Sequence, residues 1–408
     1  MPSNLIGILG IIVILAIAVA FSSNRKAIHL RVVGSAFALQ AVIAAFVLYF
    51  DWGRRAINWL STGVLAIIGY SKAGIDMVFG PLADTEVIGF SFAINVLPII
   101  IFFAALMSVL YHLRIMEWLV RIVGGALHRI IGTGAIESMN AAANIFVGQT
   151  EAPLVVKPYL KSLTDAQFFT VMVSGLASIA GTVLAGYALM GAELKYLLAA
   201  AFMAAPGDLL MAKIIMPDDE VVPSGEHEKL VMERSEHKNV ILAAASGTTD
   251  GLRLAANIGA MLVAFVALIA LFNGLVGWVA SWFGHDLTLQ MILGWVFAPL
   301  MYLLSVPWAE AQAAGALFGE KLILNEFVAY VQLSAALASG TSADPRSLVI
   351  GIYALTTFAN FGSVAMTIAG IGEIAPSRRH DLARLGLRAM GAGLLASFMT
   401  AAVAGMLV

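Results

Sequence analysis

Val147-Gly148-Gln149-Thr150-Glu151-Ala152-Pro153 lies deep inside an apolar sequence, and its glycine and proline bracket three consecutive polar side chains, one of them a carboxylate. A second break, Leu324-Asn325-Glu326-Phe327, again sets a lone carboxylate beside an amide in apolar surroundings. Each break is followed by a long uncharged span with small and polar residues of its own. The chain reads as two copies of one unit, each aiming a polar tip at a shared site inside a membrane.

Composition supports that setting. Of 408 residues, 61% are hydrophobic and only 12% charged, where a soluble protein carries about 25% charged residues. Several stretches exceed the roughly 18 uncharged apolar residues that mark a membrane span. The expected fold class is an all-α polytopic membrane protein with about eight transmembrane helices and two re-entrant hairpins. A net charge of −2 gives no case for nucleic-acid binding, and with no cysteine there is neither a disulfide nor a thiolate metal site. No Walker lysine motif points to ATP, and no HExxH motif to a zinc enzyme. The apolar run Leu5 to Phe21 resembles a secretory signal, but Arg25, Lys26 and Arg31 follow it instead of preceding it. It is therefore expected to stay as a first helix with its N-terminus outside.

In chain order, 1–112 supplies scaffold helices: spans near 4–22, 32–50 and 88–111, the last kinked at Pro98, with an interfacial amphipathic helix over 52–80. The first repeat takes 113–216, with a hairpin at 130–162, an interrupted span at 166–192 and a shorter span at 195–215. Each hairpin arm is too short to cross about 30 Å of hydrocarbon at roughly 1.5 Å per residue. An acidic, proline-containing cytoplasmic loop fills 217–253, and 254–308 holds a scaffold span and an apolar stretch along the interface. The second repeat takes 309–408, with a hairpin at 309–342, an interrupted span at 347–372 and a last helix.

Crossings counted from an outside N-terminus place the basic links 23–31, 112–129 and 376–388 all inside. The first hairpin then enters from the cytoplasm and the second from outside. Inverted repeats with discontinuous helices are the architecture of secondary transporters.

The candidate chemistry sits at the breaks. An ionised carboxylate at mid-membrane costs at least about 2.5–3.5 kcal/mol and persists only against protein, water or a ligand. Glu151 and Glu326 therefore either cap their hairpins or bind a solute or ion. Gln149, Thr150 and Asn325 add groups that read a polar solute by hydrogen bonding. Unwinding around Ser178-Ile179-Ala180-Gly181-Thr182 and Phe358-Ala359-Asn360-Phe361-Gly362-Ser363 would free carbonyls, and with Asn144 and Ser178 these make a hard-oxygen set suited to Na+. At 178–182 the small residues serve equally to let helices pack closely, and Phe358 and Phe361 are by residue type packing groups more often than ligand contacts.

Four strings, Gly148-Gln149-Thr150-Glu151-Ala152-Pro153, Asn325-Glu326-Phe327-Val328-Ala329-Tyr330, Phe358-Ala359-Asn360-Phe361-Gly362-Ser363 and Ile374-Ala375-Pro376-Ser377-Arg378-Arg379, resemble the concentrative nucleoside transporters. The resemblance extends over nearly the whole chain and is weakest at 217–238. It implies a homotrimer in which a mobile transport domain carrying both hairpins works against a scaffold. It also implies that Gln149, Thr150, Glu151 and Val183 address the nucleobase, with Phe358 lining its pocket. Glu326, Asn360 and Ser363 would bind the ribose hydroxyls. The matching cation position has side chains from Asn144 and Ser178 and carbonyls from Val147 and Ile179. That set favours Na+ over H+ as the coupling ion. The implied activity is cation-coupled nucleoside import, and the short loops point to a bacterial cytoplasmic (inner) membrane.

Overall fold

The computed structural model describes residues 3–218, 237–338 and 344–408. All regular secondary structure among these residues is helical, with no strand. The chain opens with α1 (Ser3–Ala20), α2 (Leu30–Ala44, prolonged by a π-turn to Tyr49) and α3 (Asp51–Phe79). The short α4 (Thr85–Ile88) and α5 (Phe92–Asn95) lead into α6 (Leu97–His112). Pro98 stands in the first turn of α6, just after the interruption at Val96 that divides the span Phe92–His112, where its missing N–H has no helical partner to lose.

The next elements come in the same order twice. An amphipathic α7 (Ile115–Ile131) precedes the first hairpin, whose arms are α8 (Ala135–Asn144) and a 3-10 helix (Ala152–Tyr159). Pro153 and Pro158 each remove a backbone donor from that second arm, which therefore does not wind as an α-helix. The broken span is α9 (Asp165–Ala177) with α10 (Gly181–Leu189), and α11 (Leu194–Ile215) follows. In the second set, α13 (Leu289–Leu303) bends by 118° into α14 (Trp308–Ile323), which forms a hairpin with α15 (Glu326–Ala338). The broken span is α16 (Pro345–Leu355) with α17 (Phe361–Ile374), and α18 (Arg379–Leu407) closes the chain.

Between the two sets runs α12 (Val240–Ser281), 42 residues long. It begins well inside the loop expected over 217–253. Asp250 and Arg253, which look like a span boundary in sequence, project from its exposed side while Ala243, Gly247 and Gly251 are buried. Of the expected loop, 219–236 lies outside the described residues, as does 339–342 of the second hairpin. The last helix likewise starts earlier than expected, so Arg384 and Arg388 ride on α18 itself.

Among the described residues seven helices are long and apolar enough to cross a membrane, or up to eight if the bent pair counts as one span. By that measure α3 qualifies too, although its polar and aromatic mixture reads as an interfacial helix. The broken span α9/α10 and α11 are almost wholly enclosed by protein, whereas α2, α3 and α12 are mostly uncovered. Val263, Leu268, Leu271 and Leu275 of α12 stand exposed. Apolar faces left uncovered on this scale belong in hydrocarbon or against another apolar surface.

The two sets interlock. Helix α18 packs on α9 and α11 as well as on its own α16, and α11 packs on α9 and α16. On the periphery, α6 packs extensively against α12. A Cβ at Gly247 would lie 2.6 Å from the Ala104 carbonyl oxygen, so only glycine permits that approach. Gly247→Val is therefore expected to cost about 1–3 kcal/mol through overpacking. It should lower the midpoint of thermal unfolding of the purified protein, and an unchanged midpoint would contradict this helix contact.

Candidate functional site

The first tip is a tight turn between α8 and the 3-10 arm, held by Val147 N–H donating to Ala143 O at 3.0 Å and Ala152 N–H to Gly148 O at 2.9 Å. Glu151 folds back on this turn, its Oε2 accepting from Gly148 N–H at 2.6 Å. That is the capping role left open by the sequence, yet Glu151 keeps an exposed surface on which a further donor can act. Glycine at 148 leaves room for this carboxylate, since a Cβ would sit 2.5 Å from the same oxygen and push the Glu151 side chain aside. Gln149 is buried, and its Oε1 accepts from Thr367 Oγ1 of α17 at 2.9 Å. The neighbouring Thr150 lies against Gly370 of the same helix.

At the second tip Asn325 Oδ1 accepts from Val328 N–H at 3.0 Å and caps α15. Glu326 therefore opens a helix, where the positive end of the backbone dipole favours a carboxylate. It is buried, and both oxygens are engaged: Tyr187 O–H donates to Oε1 at 3.0 Å and Asn360 Nδ2 to Oε2 at 3.0 Å. The Tyr187 ring stacks on Tyr330 with centroids 4.4 Å apart. Asn360 has a second task, its Oδ1 accepting from the backbone N–H of buried Ser363 at 2.8 Å to cap α17.

The breaks of the two spans meet each other and the first tip. Phe358 N–H donates to Ser178 O at 3.0 Å, and Gly181 N–H to Phe146 O at 3.2 Å. Phe358 and Val183 are both buried, the one within the second break and the other just past the first. A continuous series of bonds thus runs from the first tip through both breaks to Glu326. In this series Glu326, Asn360 and Ser363 are joined directly, while Gln149 and Thr150 reach the second repeat through α17.

The cation candidates lie where α8 and α9 end. Asn144 is fully buried and its Nδ2 donates to Asn140 O at 3.0 Å, while its Oδ1 is buried with no hydrogen-bond partner. An unpaired buried amide oxygen is costly and is normally satisfied. Ser178 Oγ donates to Gly175 O at 3.2 Å and keeps its lone pairs. Val147 and Ile179 lie on facing backbone segments, since the Gly181 bond to Phe146 draws the turn and the break together. No cluster of three or more His, Asp or Glu residues occurs among the described residues. A cation here would meet amide, hydroxyl and carbonyl oxygens, which suits a hard monovalent ion, and the C-terminal ends of two helices add negative potential.

Three participants escape the sequence patterns. Tyr187 and Thr367 are hydroxyls inside apolar spans, and their partners come from the other repeat, so nothing local marks them. Lys321 is different. It is a lone base in an apolar hairpin arm, as conspicuous as the two carboxylates, and it is fully buried within electrostatic reach of Glu326. A further buried pair, Lys213 Nζ to Glu137 Oε1 at 2.5 Å, ties α11 to the first hairpin away from the tips.

Family models cover most of the chain: "Na+ dependent nucleoside transporter N-terminus" over 9–82, "Nucleoside recognition" over 93–194, and "Na+ dependent nucleoside transporter C-terminus" over 196–405. The nucleoside permease NupC of Helicobacter pylori is 47% identical over 414 residues, with 100% of this chain and 98% of that protein covered. The sodium/nucleoside cotransporter 2 of Rattus norvegicus is 35% identical over 419 residues, covering 100% of this chain and 63% of the rat protein. The structure of CNTnw in an inward-facing substrate-bound state superposes with a TM-score of 0.94 at 47% identity, covering 99% of this chain and 98% of that one. With its two tips, two broken spans and whole-length relatives, the chain belongs to the concentrative nucleoside transporter family, a family of multi-pass membrane transporters and not of enzymes.

Proposed function

We propose that this protein is a Na+-coupled importer of nucleosides that works by alternating access in a bacterial inner membrane. The observation that carries the reading is the continuous hydrogen-bonded path from an unsatisfied buried Asn144 Oδ1, across both breaks, to the Glu326 carboxylate. Ion and solute would thereby act on one connected set of tips and breaks. The family's Na+ dependence, and the sodium/nucleoside cotransporter among its relatives, support Na+ over H+ as the cotransported ion.

In this reading Na+ takes Asn144 Oδ1, Ser178 Oγ and the carbonyls of Val147 and Ile179, and so orders the first tip against the first break. Gln149, Thr150 and Glu151 face the nucleobase with Val183, and Phe358 lines its pocket. Glu326, with Asn360 and Ser363, takes the ribose hydroxyls. A carboxylate offers about four lone-pair directions, so Glu326 can hold Tyr187 and Asn360 and still accept from a diol. The enclosed core of hairpins, broken spans, α11 and α18 would be the moving domain, and the uncovered helices the scaffold. Their apolar faces fit assembly as a homotrimer within lipid. A ligand shifts such an equilibrium only by its differential affinity for the two facing states, so the loaded core must fit both more nearly equally than the ion-only core does.

Uridine uptake into proteoliposomes under an imposed Na+ gradient, with an H+ gradient in parallel, tests the assignment. Na+-driven accumulation is expected, and uptake driven by neither gradient would overturn it. Glu326→Gln should lower uptake roughly 10- to 100-fold, the equivalent of about 1.5–3 kcal/mol for hydrogen bonds to a charged group. Near-normal uptake would remove the ribose role. Tyr187→Phe should weaken uridine binding about tenfold, or roughly 1.4 kcal/mol, without moving the Na+ midpoint; a shift of that midpoint alone would contradict its placement. Asn144→Ala should raise the Na+ concentration for half-maximal uptake by about tenfold or more, losing one ligand worth roughly 1.4 kcal/mol. An unchanged Na+ titration would take Asn144 out of the cation site.

A further inference from the structure

The two side chains proposed for the cation have counterparts one helical turn away. On α8, Asn140 precedes Asn144 by one turn, and on α9, Ser174 precedes Ser178 by one turn. Residues four apart share a helix face, so each helix repeats its ligand type, amide on one and hydroxyl on the other, about 6 Å nearer its start. The two helices run parallel, as the bonds from Asn140 Nδ2 to Val171 O at 3.3 Å and from Gly181 N–H to Phe146 O at 3.2 Å show. A helical carbonyl points along the axis toward the next turn, so the Asn140 carboxamide at Val171 O lies beside Ser174. Asn140 and Ser174 are fully buried, and neither Asn140 Oδ1 nor Ser174 Oγ has a hydrogen-bond partner. A serine within a helix commonly returns its hydroxyl to its own backbone, as Thr170 does one turn earlier, donating to Ala166 O at 2.9 Å. Ser174 does not. Buried polar atoms are normally satisfied, and here two oxygens on one seam are left over.

We propose that Asn140 Oδ1 and Ser174 Oγ form a transit site for the cotransported Na+, entered after the ion leaves Asn144 and Ser178 and before it reaches the cytoplasm. Ligand number makes it a place of passage and not of rest. At Asn144 and Ala177 two helices end, so unpaired carbonyls join the side-chain oxygens. One turn earlier the carbonyls of the seam are taken, Asn140 O by Asn144 Nδ2 at 3.0 Å and Val171 O by Asn140 Nδ2. Side-chain oxygens remain, and water completes the shell. A weak site of the same ligand types beside a stronger one lets an ion step out without giving up its whole shell at once. Beyond it the seam passes Thr170 and Glu137 to Lys213, which donates to Glu137 at 2.5 Å and to partly exposed Asp218 at 2.6 Å. Arg378 and Arg384 pair with Asp165 at the start of α9, and basic residues mark that end of the core as cytoplasmic. The transit site holds the same ion at a later moment and leaves the number of ions per solute unaltered.

This inference rests on the proposed Na+-coupled transport, and the assays keep the two apart. Net uptake in proteoliposomes requires the ion to leave, whereas uridine exchange with saturating Na+ on both sides proceeds with the ion bound. Ser174→Ala removes a hydroxyl that bonds nothing in the protein, so a purely structural role predicts no loss. A transit site predicts Na+-driven net uptake slowed about fivefold, the worth of one polar contact. Exchange, and the Na+ midpoint of uridine binding to purified protein, should stay within about twofold of wild type. Ser174→Thr, which keeps the hydroxyl, should restore net uptake. Wild-type net uptake in Ser174→Ala would overturn the inference and leave these oxygens to water. Equal losses of uptake and exchange, or a raised Na+ midpoint, would overturn it too, by placing Ser174 in the resting site. Should Ser174→Ala fail to fold, Asn140→Ala is read by the same three measurements. A wild type that takes up no uridine under a Na+ gradient would remove the proposed function and the inference together.

Discussion

Hydrocarbon offers no partner to a free backbone N–H or C=O, so helix interruptions at membrane depth must satisfy one another. Among the described residues the two hairpin tips and the two broken spans are such interruptions, and each is tied to another. The first break holds the first tip through Gly181 N–H to Phe146 O, the second break holds the first through Phe358 N–H to Ser178 O, and Asn360 of the second break holds Glu326 of the second tip. None of these elements is tolerable alone. Their mutual satisfaction explains why the polar residues lie at one place, and why α9, α10 and α11 around them are enclosed by protein while the peripheral helices are not.

The helix ends created by those interruptions sort charge by sign. The N-termini of α15 and α17 carry Glu326 and the Asn360 carboxamide oxygen, both acceptors. The C-termini of α8 and α9, and of α14 and α16, call for cations. The four C-termini meet in pairs, so each repeat presents one cation-seeking place. The two places differ, the first being an open oxygen set while in the second Lys321 Nζ donates to Ala354 O and Thr357 Oγ1. The tips differ as well. Glu151 is anchored to the backbone of its own turn at Gly148, whereas Glu326 depends on side chains from two other helices. A displacement of α10 or α17 therefore acts at once on Glu326, while Glu151 travels with its own turn.

The sequence made the tips legible because a lone carboxylate in an apolar run is expensive and so conspicuous. The breaks were legible because Ser178, Gly181, Asn360 and Ser363 interrupt otherwise uniform spans. Element ends were less so. Asp250 and Arg253 look like a boundary, yet a buried stripe of Ala243, Gly247 and Gly251 continues α12 past them, since a charge on the exposed side of a helix does not end it. Pro98 reads as a kink within one span, and the interruption falls just before it, at Val96, so that the proline opens α6. Tyr187 and Thr367 were illegible because a hydroxyl inside a span commonly bonds its own helix. Their actual partners, Glu326 and Gln149, come from a different repeat. The pairing between repeats is a tertiary fact with no local signature.

That pairing also bears on motion. Gln149 of the first hairpin is bonded to α17, and Tyr187 of the first broken span to Glu326 of the second hairpin, so each repeat supplies a group that positions the other's polar residue. Arg378 extends the same reciprocity to one end of the core, its Nη1 donating to Leu163 O at 2.7 Å and its Nη2 pairing with Asp165 at 3.2 Å. Hairpins, broken spans and the two following helices are thereby cross-braced at several levels. A unit braced in this way has few internal degrees of freedom, because moving one hairpin alone breaks buried bonds worth about 1–3 kcal/mol each. The same bracing reaches α2, whose buried Gln40 donates through Nε2 to Met203 O of α11 at 3.3 Å and to Thr400 Oγ1 of α18 at 2.8 Å. Internal bracing of this kind is what the proposed alternating access requires, since a braced unit moves more cheaply as one body than by parting its own hairpins.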